Sequence, residues 1–419
     1  MDYYELIKRQ KTKKEALIVD GTSYTYGKLV MMAESLAGRW SAENRNLCKS
    51  DKKRPIVHII KEKDIVTQLV SFLACYVNGE IPLIVPYDNK SFENGQFLDN
   101  MEVPENVCMA VSTSGTTGMP KIYFRTYESW AEYFPIQNEI FMINENSRLF
   151  MQGSLAFTGN LNLYMAQFYA GATVIAENTF SPKKWAETIK RQKADAIYLI
   201  PSKLLLLPKV IKEEIPEVRM IVSGSQSMGK KEAEELKCSF PNTHILLYYA
   251  ASELNYVTYV TDENMTEERN LIGTPFPEVE VFLQDGEIYV NTKYHVEGIH
   301  CPYSLSDSAY QDKDGNFYFT GRKDDILLIR GRKVSALKIE NALEQLPQIK
   351  EAAVTEKKNK EESFLVAYIV LQEEADYQEQ KIYNTLRQSL AHYEMPRRLY
   401  PVKKLPHNES GKLDKQKLT

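Results

Sequence analysis

The stretch STSGTTGMPK, residues 112–121, decides how this chain is to be read. It is a run of hydroxyl and glycine residues that closes on Pro120 and Lys121. Upstream, residues 107–111 (VCMAV) predict a short buried strand, and downstream IYFR opens a second β-prone run. A loop of small residues between two strands can aim backbone N–H groups and hydroxyls at one point. Phosphate oxygens suit such a cradle, and Lys121 adds a full positive charge. Gly115 and Gly118 permit positive φ and close backbone approach. A Ser/Thr/Gly surface turn is the plain alternative, against which stand the hydroxyls of Ser112, Thr113, Ser114, Thr116, Thr117 and, past the lysine, Thr126. The usual ATPase loop does not apply, because Gly-Lys followed by Ser or Thr is missing.

A chain of 419 residues has room for roughly two to three domains and a sizeable core. Its 43% hydrophobic and 26% charged residues are ordinary for a soluble globular protein, and a net charge of -4 gives no sign of a nucleic-acid partner. The N-terminus MDYYELIKRQ lacks the apolar core of a signal peptide, and no apolar run reaches membrane-span length. A cytoplasmic protein with no membrane partner is expected. Cys48, Cys75, Cys108, Cys238 and Cys301 are scattered without a CxxC pair, so neither a disulfide framework nor a zinc site is indicated. His295, His300 and Cys301 come nearest to a cluster and are read as structural.

Residues 1–110 alternate helical and strand-like pieces: a helix over 24–39, a strand over 55–60, a helix over 65–76, a strand over 81–85. This alternation predicts parallel sheet under covering helices. Further strands are expected at 148–151, 173–175, 196–200, 220–222 and 245–248, with helices at 161–169, 203–210 and 230–236. From about residue 273 the texture turns to short strands, and Asp285-Gly286 between alternating residues signals a hairpin. After residue 323 come strand, helix, two strands, a second helix and a basic tail. The expected fold is α/β: a large N-terminal domain (1–323) of mixed sheets with covering helices and a small β-subdomain, then a small mobile α+β C-terminal domain (324–419).

The decapeptide at 112–121 closely resembles the phosphate-binding signature of the adenylate-forming superfamily, which includes acyl-CoA synthetases, aryl-acid activating enzymes and peptide-synthetase adenylation domains. Six later stretches match that pattern in order. Tyr249-Ala250-Ala251-Ser252-Glu253 is similar to the family's Tyr-Gly-x-Thr-Glu. The resemblance gives Tyr249 to adenine, Ser252 to the α-phosphate and Glu253 to Mg²⁺, with Ala250 departing from the usual glycine. Ser223, Gly224 and Ser225 open the stretch that matches a Gly/Ala-rich pocket wall. Tyr303-Ser304-Leu305-Ser306-Asp307 corresponds to Tyr-Arg-Thr-Gly-Asp, which implies that Asp307 accepts from the ribose hydroxyls. Gly321-Arg322-Lys323-Asp324 matches the Gly-Arg-x-Asp hinge, with Arg322 also on ribose and Asp324 as the pivot. The ILLIRGRKVSALKIENAL that follows keeps the family's spacing. PHNESGKLD at 406–414 resembles the terminal Pro-x-x-x-Ser-Gly-Lys loop and makes Lys412 the lysine that bridges carboxylate and α-phosphate. The first 106 residues match in texture only and are fewer than the family has.

The implied chemistry is ATP- and Mg²⁺-dependent conversion of a carboxylic acid to an acyl-adenylate, catalysed by Lys412, Lys121 and Glu253. Transfer to the phosphopantetheine thiol of a carrier protein, or to CoA, follows. Amino-acid-activating relatives hold the substrate ammonium with an Asp near Phe157-Thr158, but no Asp or Glu lies between Arg148 and Ala176. Burying an uncompensated ammonium would be costly, so an α-amino acid is disfavoured. Gln152, Phe157, Thr158 and Asn160, with Ser223 and Ser225, predict a polar-lined pocket suited to ring hydroxyls. This resembles the stand-alone aryl-acid activators of siderophore pathways, petrobactin assembly among them. A fatty- or small-acid CoA ligase, a phosphoryl-transfer enzyme and a silent nucleotide-binding module remain as alternatives.

Overall fold

The strand–helix alternation of the first half builds, in the computed structural model, a sheet that contains six adjacent parallel strands. The structure describes residues 1–44, 56–89, 92, 101–113, 121–322, 326–329, 332–358, 363–372, 375–407 and 413–418. The chain divides into two units. The first holds Met1–Met265, Pro275–Glu280 and Asn291–Tyr303, and the second Thr266–Thr274, Val281–Val290 and Ser304–Thr419.

In the first unit the parallel strands lie in the order Glu15–Val19, Thr173–Glu177, Arg148–Gln152, Ala196–Tyr198, Met220–Gly224, His244–Ala250. Thr22–Thr25 and Tyr256–Thr261 flank this parallel run, each antiparallel to its neighbour in it. Strands covered on both faces read as continuous apolar runs, and TVIAE and MIVSG are buried at every position. From Arg148–Gln152 the chain crosses through the helix Thr158–Tyr169 to the neighbour on one side, then returns to Ala196–Tyr198 on the other. A switch point therefore lies between Arg148–Gln152 and Ala196–Tyr198, where α/β sheets open a crevice at the carboxyl ends of their strands.

A second sheet of this unit pairs Val57–Ile60, Ile81–Ile84 and Met109–Thr113 in parallel, with Lys121–Arg125 antiparallel to the last. Thr113 stands opposite Lys121, so both strands expected around the hydroxyl-rich stretch are present. The helix Ile65–Val77 covers this sheet and is started by Asp64, whose side chain accepts from Thr67 N–H at 3.0 Å. The helix expected over 203–210 is a single turn, Pro201–Leu204. Pro201 suits its first position, and Pro208 bars helical continuation of the leucine run before it. The strand Glu15–Val19 and the helix Pro182–Arg191 had no counterpart in the sequence reading.

The second unit takes in strands in the order Glu280–Gln284, Glu287–Asn291, Tyr303–Gln311, Phe317–Arg322, Leu271–Pro275, a few end residues of which belong to the first unit. Asp285 and Gly286 both have positive φ (51° and 78°), as the hairpin signal requires. Beyond them a hairpin, Ile326–Ile329 with Arg332–Ser335, precedes a three-stranded sheet of Ile349–Lys358, Ser363–Leu371 and Arg398–Pro401. The helices Ala336–Glu344 and Glu379–Ser389 pack Ile339, Leu343, Ile382 and Leu386 against Val354, Leu365 and Ile369. Among the described residues, no helix is long and apolar enough to cross a membrane.

Candidate active site

Alternate residues of the strand Lys121–Arg125 share one face of its sheet. Lys121 is exposed, while Tyr123 donates to Glu253 Oε1 at 2.9 Å. Arg125 is buried and donates to the Ser252 carbonyl at 2.9 Å, to the Leu254 carbonyl and to Ser129 Oγ at 3.3 Å. Its guanidinium also lies 5.1 Å from the Trp130 ring centroid. Burial lowers its pKa to about 10, opposed by Tyr3, Cys108 and Glu253, so it stays a cation at neutral pH. The strand after the hydroxyl-rich stretch thus fixes the Ser252–Glu253 turn from both ends.

The Glu253 carboxylate could hold a hard cation. Its carboxylate accepts from one neutral hydroxyl, and among the described residues no lysine or arginine forms an ion pair with it. Burial and the Glu253 charge together raise the Tyr123 pKa, and the same two causes raise that of Tyr303. Tyr249 and Ala250 end the strand His244–Ala250 at an irregularity in its pairing with Tyr256–Thr261. Ala250 is not among the residues with positive φ, so alanine in the glycine position puts no strain on the backbone there.

The neighbouring parallel strand ends in Ser223 and Gly224, followed by Ser225. Ser223 is fully buried and donates its hydroxyl to the Leu199 carbonyl at 2.7 Å, inside the sheet. Ser225 is exposed and holds φ at 69°, an uncommon conformation for a non-glycine residue. Gly224 lies against an aromatic ring: a β-carbon there would stand 2.7 Å from Tyr248 Cε2 and Cζ. The hydroxyls of Tyr248 and Tyr198 are 2.9 Å apart. Burial pushes Tyr198 up to about 12, so both phenols are neutral.

Gln152 closes the strand Arg148–Gln152 at the switch point, and Phe157 and Thr158 begin the helix Thr158–Tyr169. Asn160 is buried and donates to the Ser154 carbonyl at 2.9 Å. A β-carbon at Gly159 would fall 3.0 Å from Tyr198 Oη, 3.2 Å from Phe157 Cε1 and 3.3 Å from Tyr248 Oη. The start of this helix is therefore packed against aromatic side chains. Lys203, which the sequence reading passed over, reaches Gln152 Oε1 at 2.6 Å.

In the second unit Asp307 and Arg322 face each other across the pair Tyr303–Gln311 and Phe317–Arg322. Arg322 Nε is 3.5 Å from the buried Asp307 Oδ1, and most of the arginine is exposed. Ser306, where the resemblance has glycine, takes φ of 55°, so the turn keeps the conformation that glycine would favour. Ser114, Gly115, Thr116, Thr117, Gly118, Asp324 and Lys412 lie outside the described residues, and Thr113 is placed only as the end of its strand.

A second set of possible metal ligands, His58, Cys75 and Glu80, also comes together in the first unit. His58 Nδ1 is 2.8 Å from Glu80 Oε2 and the ring stacks on Trp40 at 4.3 Å. Burial, then the Glu80 charge, raises the Cys75 pKa and keeps the thiol protonated. The set accounts for itself as a His58–Glu80 hydrogen bond over a buried thiol.

Residues 47–298 match the AMP-binding enzyme family, and residues 338–412 match the AMP-binding enzyme C-terminal domain. The chain belongs to the AMP-binding enzyme family. A relative in Staphylococcus haemolyticus that carries the name long chain fatty acid-CoA ligase VraA is 30% identical over 72% of this chain and 67% of its own length. The 2-succinylbenzoate–CoA ligase of Listeria monocytogenes is 24% identical over 98% of this chain and 97% of its own. O-succinylbenzoate coenzyme A synthetase from Bacillus subtilis, solved in complex with ATP and magnesium ion, shares the fold with a TM-score of 0.83. It is 18% identical, and the match covers 100% of this chain and 99% of that one. As an AMP-binding enzyme, the chain is an adenylate-forming acid–thiol ligase.

The sequence reading missed Tyr123, Arg125 and Lys203. The alternation Lys-x-Tyr-x-Arg in one strand was a visible sign of three polar side chains on one face. Nothing local marked Lys203.

Proposed function

We propose that this AMP-binding enzyme activates a compact aryl acid with ATP and Mg²⁺ and passes the acyl group to a pantetheine thiol. The observation that carries the reading is the grip of Tyr123 and Arg125 on the Ser252–Glu253 turn. It joins the strand that ends the phosphate-binding signature to the carboxylate proposed for the metal. Mg²⁺ at Glu253 would supply positive charge beside the phosphates, as a hard cation held by oxygen ligands does. Lys121 and Lys412 add charge where a carboxylate oxygen attacks the α-phosphorus and the bond to the β-phosphate breaks, releasing pyrophosphate. The carboxylate is already ionised at neutral pH, so positioning takes the place of a general base. Tyr249 serves adenine, Ser252 the α-phosphate, and Asp307 with Arg322 the ribose. A thiol sulfur then attacks the acyl carbon and AMP leaves. The names of the relatives favour CoA as the thiol over a carrier protein.

The aryl reading draws on Phe157, Tyr198 and Tyr248, whose rings gather around Gly159 at the start of the helix Thr158–Tyr169. An α-amino acid is opposed by the lack of any Asp or Glu between Arg148 and Ala176. Glu177, the next acid in the chain, is taken up by Lys184 at 2.5 Å and Thr188 at 2.7 Å. Exchange of labelled pyrophosphate into ATP, run with hydroxybenzoates, other aryl acids, fatty acids and amino acids, tests the proposal. Aryl acids should drive exchange and amino acids should not. Exchange best with long fatty acids would replace the aryl reading, and exchange with no acid would sink the adenylation reading.

A further inference from the structure

Besides Arg125, the first unit holds a half-buried cation in Lys203, in the single-turn helix after the strand Ala196–Tyr198. Its ammonium touches Gln152 twice, at 2.6 Å to Oε1 and 3.5 Å to the carbonyl. No carboxylate forms an ion pair with it among the described residues. Around it gather groups from three further segments. A β-carbon on Gly153 would lie 3.7 Å from Lys203 Nζ and 2.8 Å from Asn160 Nδ2. Next to Lys203, Ser202 N–H donates to Gln226 Oε1 at 2.9 Å, which ties its helix to the loop after Ser225. These segments meet at the sheet's switch point, the place where ligands of α/β sheets bind.

Burial is the sole cause of the lowered pKa of Lys203, with no neighbouring anion to offset it. A cation partly withdrawn from water without an anion is an unfavourable arrangement of the kind found where ligands bind or catalysis occurs. Amide oxygens satisfy its protons but not its charge.

We infer that Lys203 receives a second carboxylate of the acid substrate, at the end remote from the carboxylate that is adenylated. The inference rests on the proposed aryl-acid site and narrows it to aryl acids that bear two carboxylates. Asn160 and Gln152 orient that group, and Lys203 sets the preference. A site built around a partly buried charge rejects an analogue that lacks the matching group, because the charge is then left unpaired.

Binding is measured by titration calorimetry without ATP, so the outcome does not depend on adenylation. The probes are isophthalate, terephthalate, homophthalate and 2-succinylbenzoate, each against a neutral partner in which the second carboxylate is a methyl ester. At least one diacid should bind about 30-fold or more tighter than its partner. In Lys203→Met that ratio should fall to near one, while the thermal midpoint is kept or raised, since the variant buries no charge. Lys203→Arg should retain part of the preference. Equal binding of every diacid and its ester overturns the inference, and so does a ratio that survives in Lys203→Met. Loss of both affinities together with a lowered midpoint would make Lys203 a prop for Gln152 and also overturns it. Diacid binding that depends on Lys203, with no pyrophosphate exchange, would uphold this inference while defeating the adenylation reading.

Discussion

Tyr123 and Glu253 stand 130 positions apart in the chain, yet one hydrogen bond of 2.9 Å makes them a unit. Residues behind a metal ligand orient it, and losing one weakens metal affinity by about 10–100-fold. Tyr123→Phe should therefore raise the magnesium concentration for half-maximal pyrophosphate exchange by about 10-fold or more, with an unchanged melting profile. An unaltered magnesium dependence would detach Glu253 from the metal. Ser306 offers a test of stability on the same scale. Its φ of 55° strains an L-residue by about 1–2 kcal/mol, and glycine relieves this while losing part of the gain to a more flexible unfolded chain. Ser306→Gly should add about 0.5–1 kcal/mol to the stability read from urea unfolding. The motif letters had shown a missing glycine, and only the backbone shows that its conformation was kept.

At the scale of elements, the carboxyl ends of the parallel strands carry the candidate site: Gln152, Gly224 and Ala250 each end one. Five of the six parallel strands were legible, because burial on both faces leaves unbroken apolar runs, while Glu15–Val19 was passed over. The short helix at 201–204 was misjudged, since a leucine run says nothing of where Pro208 stops it. Gly224 shows how tightly neighbouring strands are coupled. The Tyr248 ring it touches is held by Tyr256 at 4.9 Å, Phe141 at 6.2 Å and the Tyr198 hydroxyl, so it has nowhere to move. Gly224→Ala should destabilise the protein by about 1–3 kcal/mol through overpacking, seen as a lower urea midpoint. A silent substitution would mean that the aromatic stack yields easily.

For the whole molecule, the proposed function divides the reaction into halves, with Lys412 proposed to serve only the first. Lys412→Ala should lower acid-dependent pyrophosphate exchange by about 100-fold or more, the scale on which one charge-stabilising group acts. It should leave thioester formation from preformed acyl-adenylate within a few-fold. Equal loss of both halves would remove Lys412 from its assigned role.

The sequence alone determined the family and the α/β class, because a hydroxyl-rich motif and buried strands are local patterns within a few consecutive residues. Tertiary structure alone decided that Arg125 holds the Ser252–Glu253 turn across 127 positions and that Lys203 meets Gln152 across 51. It also decided that Ser223 spends its hydroxyl inside the sheet while Asp307 stands opposite Arg322. Such pairings depend on strand order and register, and the charge environment of a lysine depends on what the fold brings around it. No periodicity along the chain encodes either.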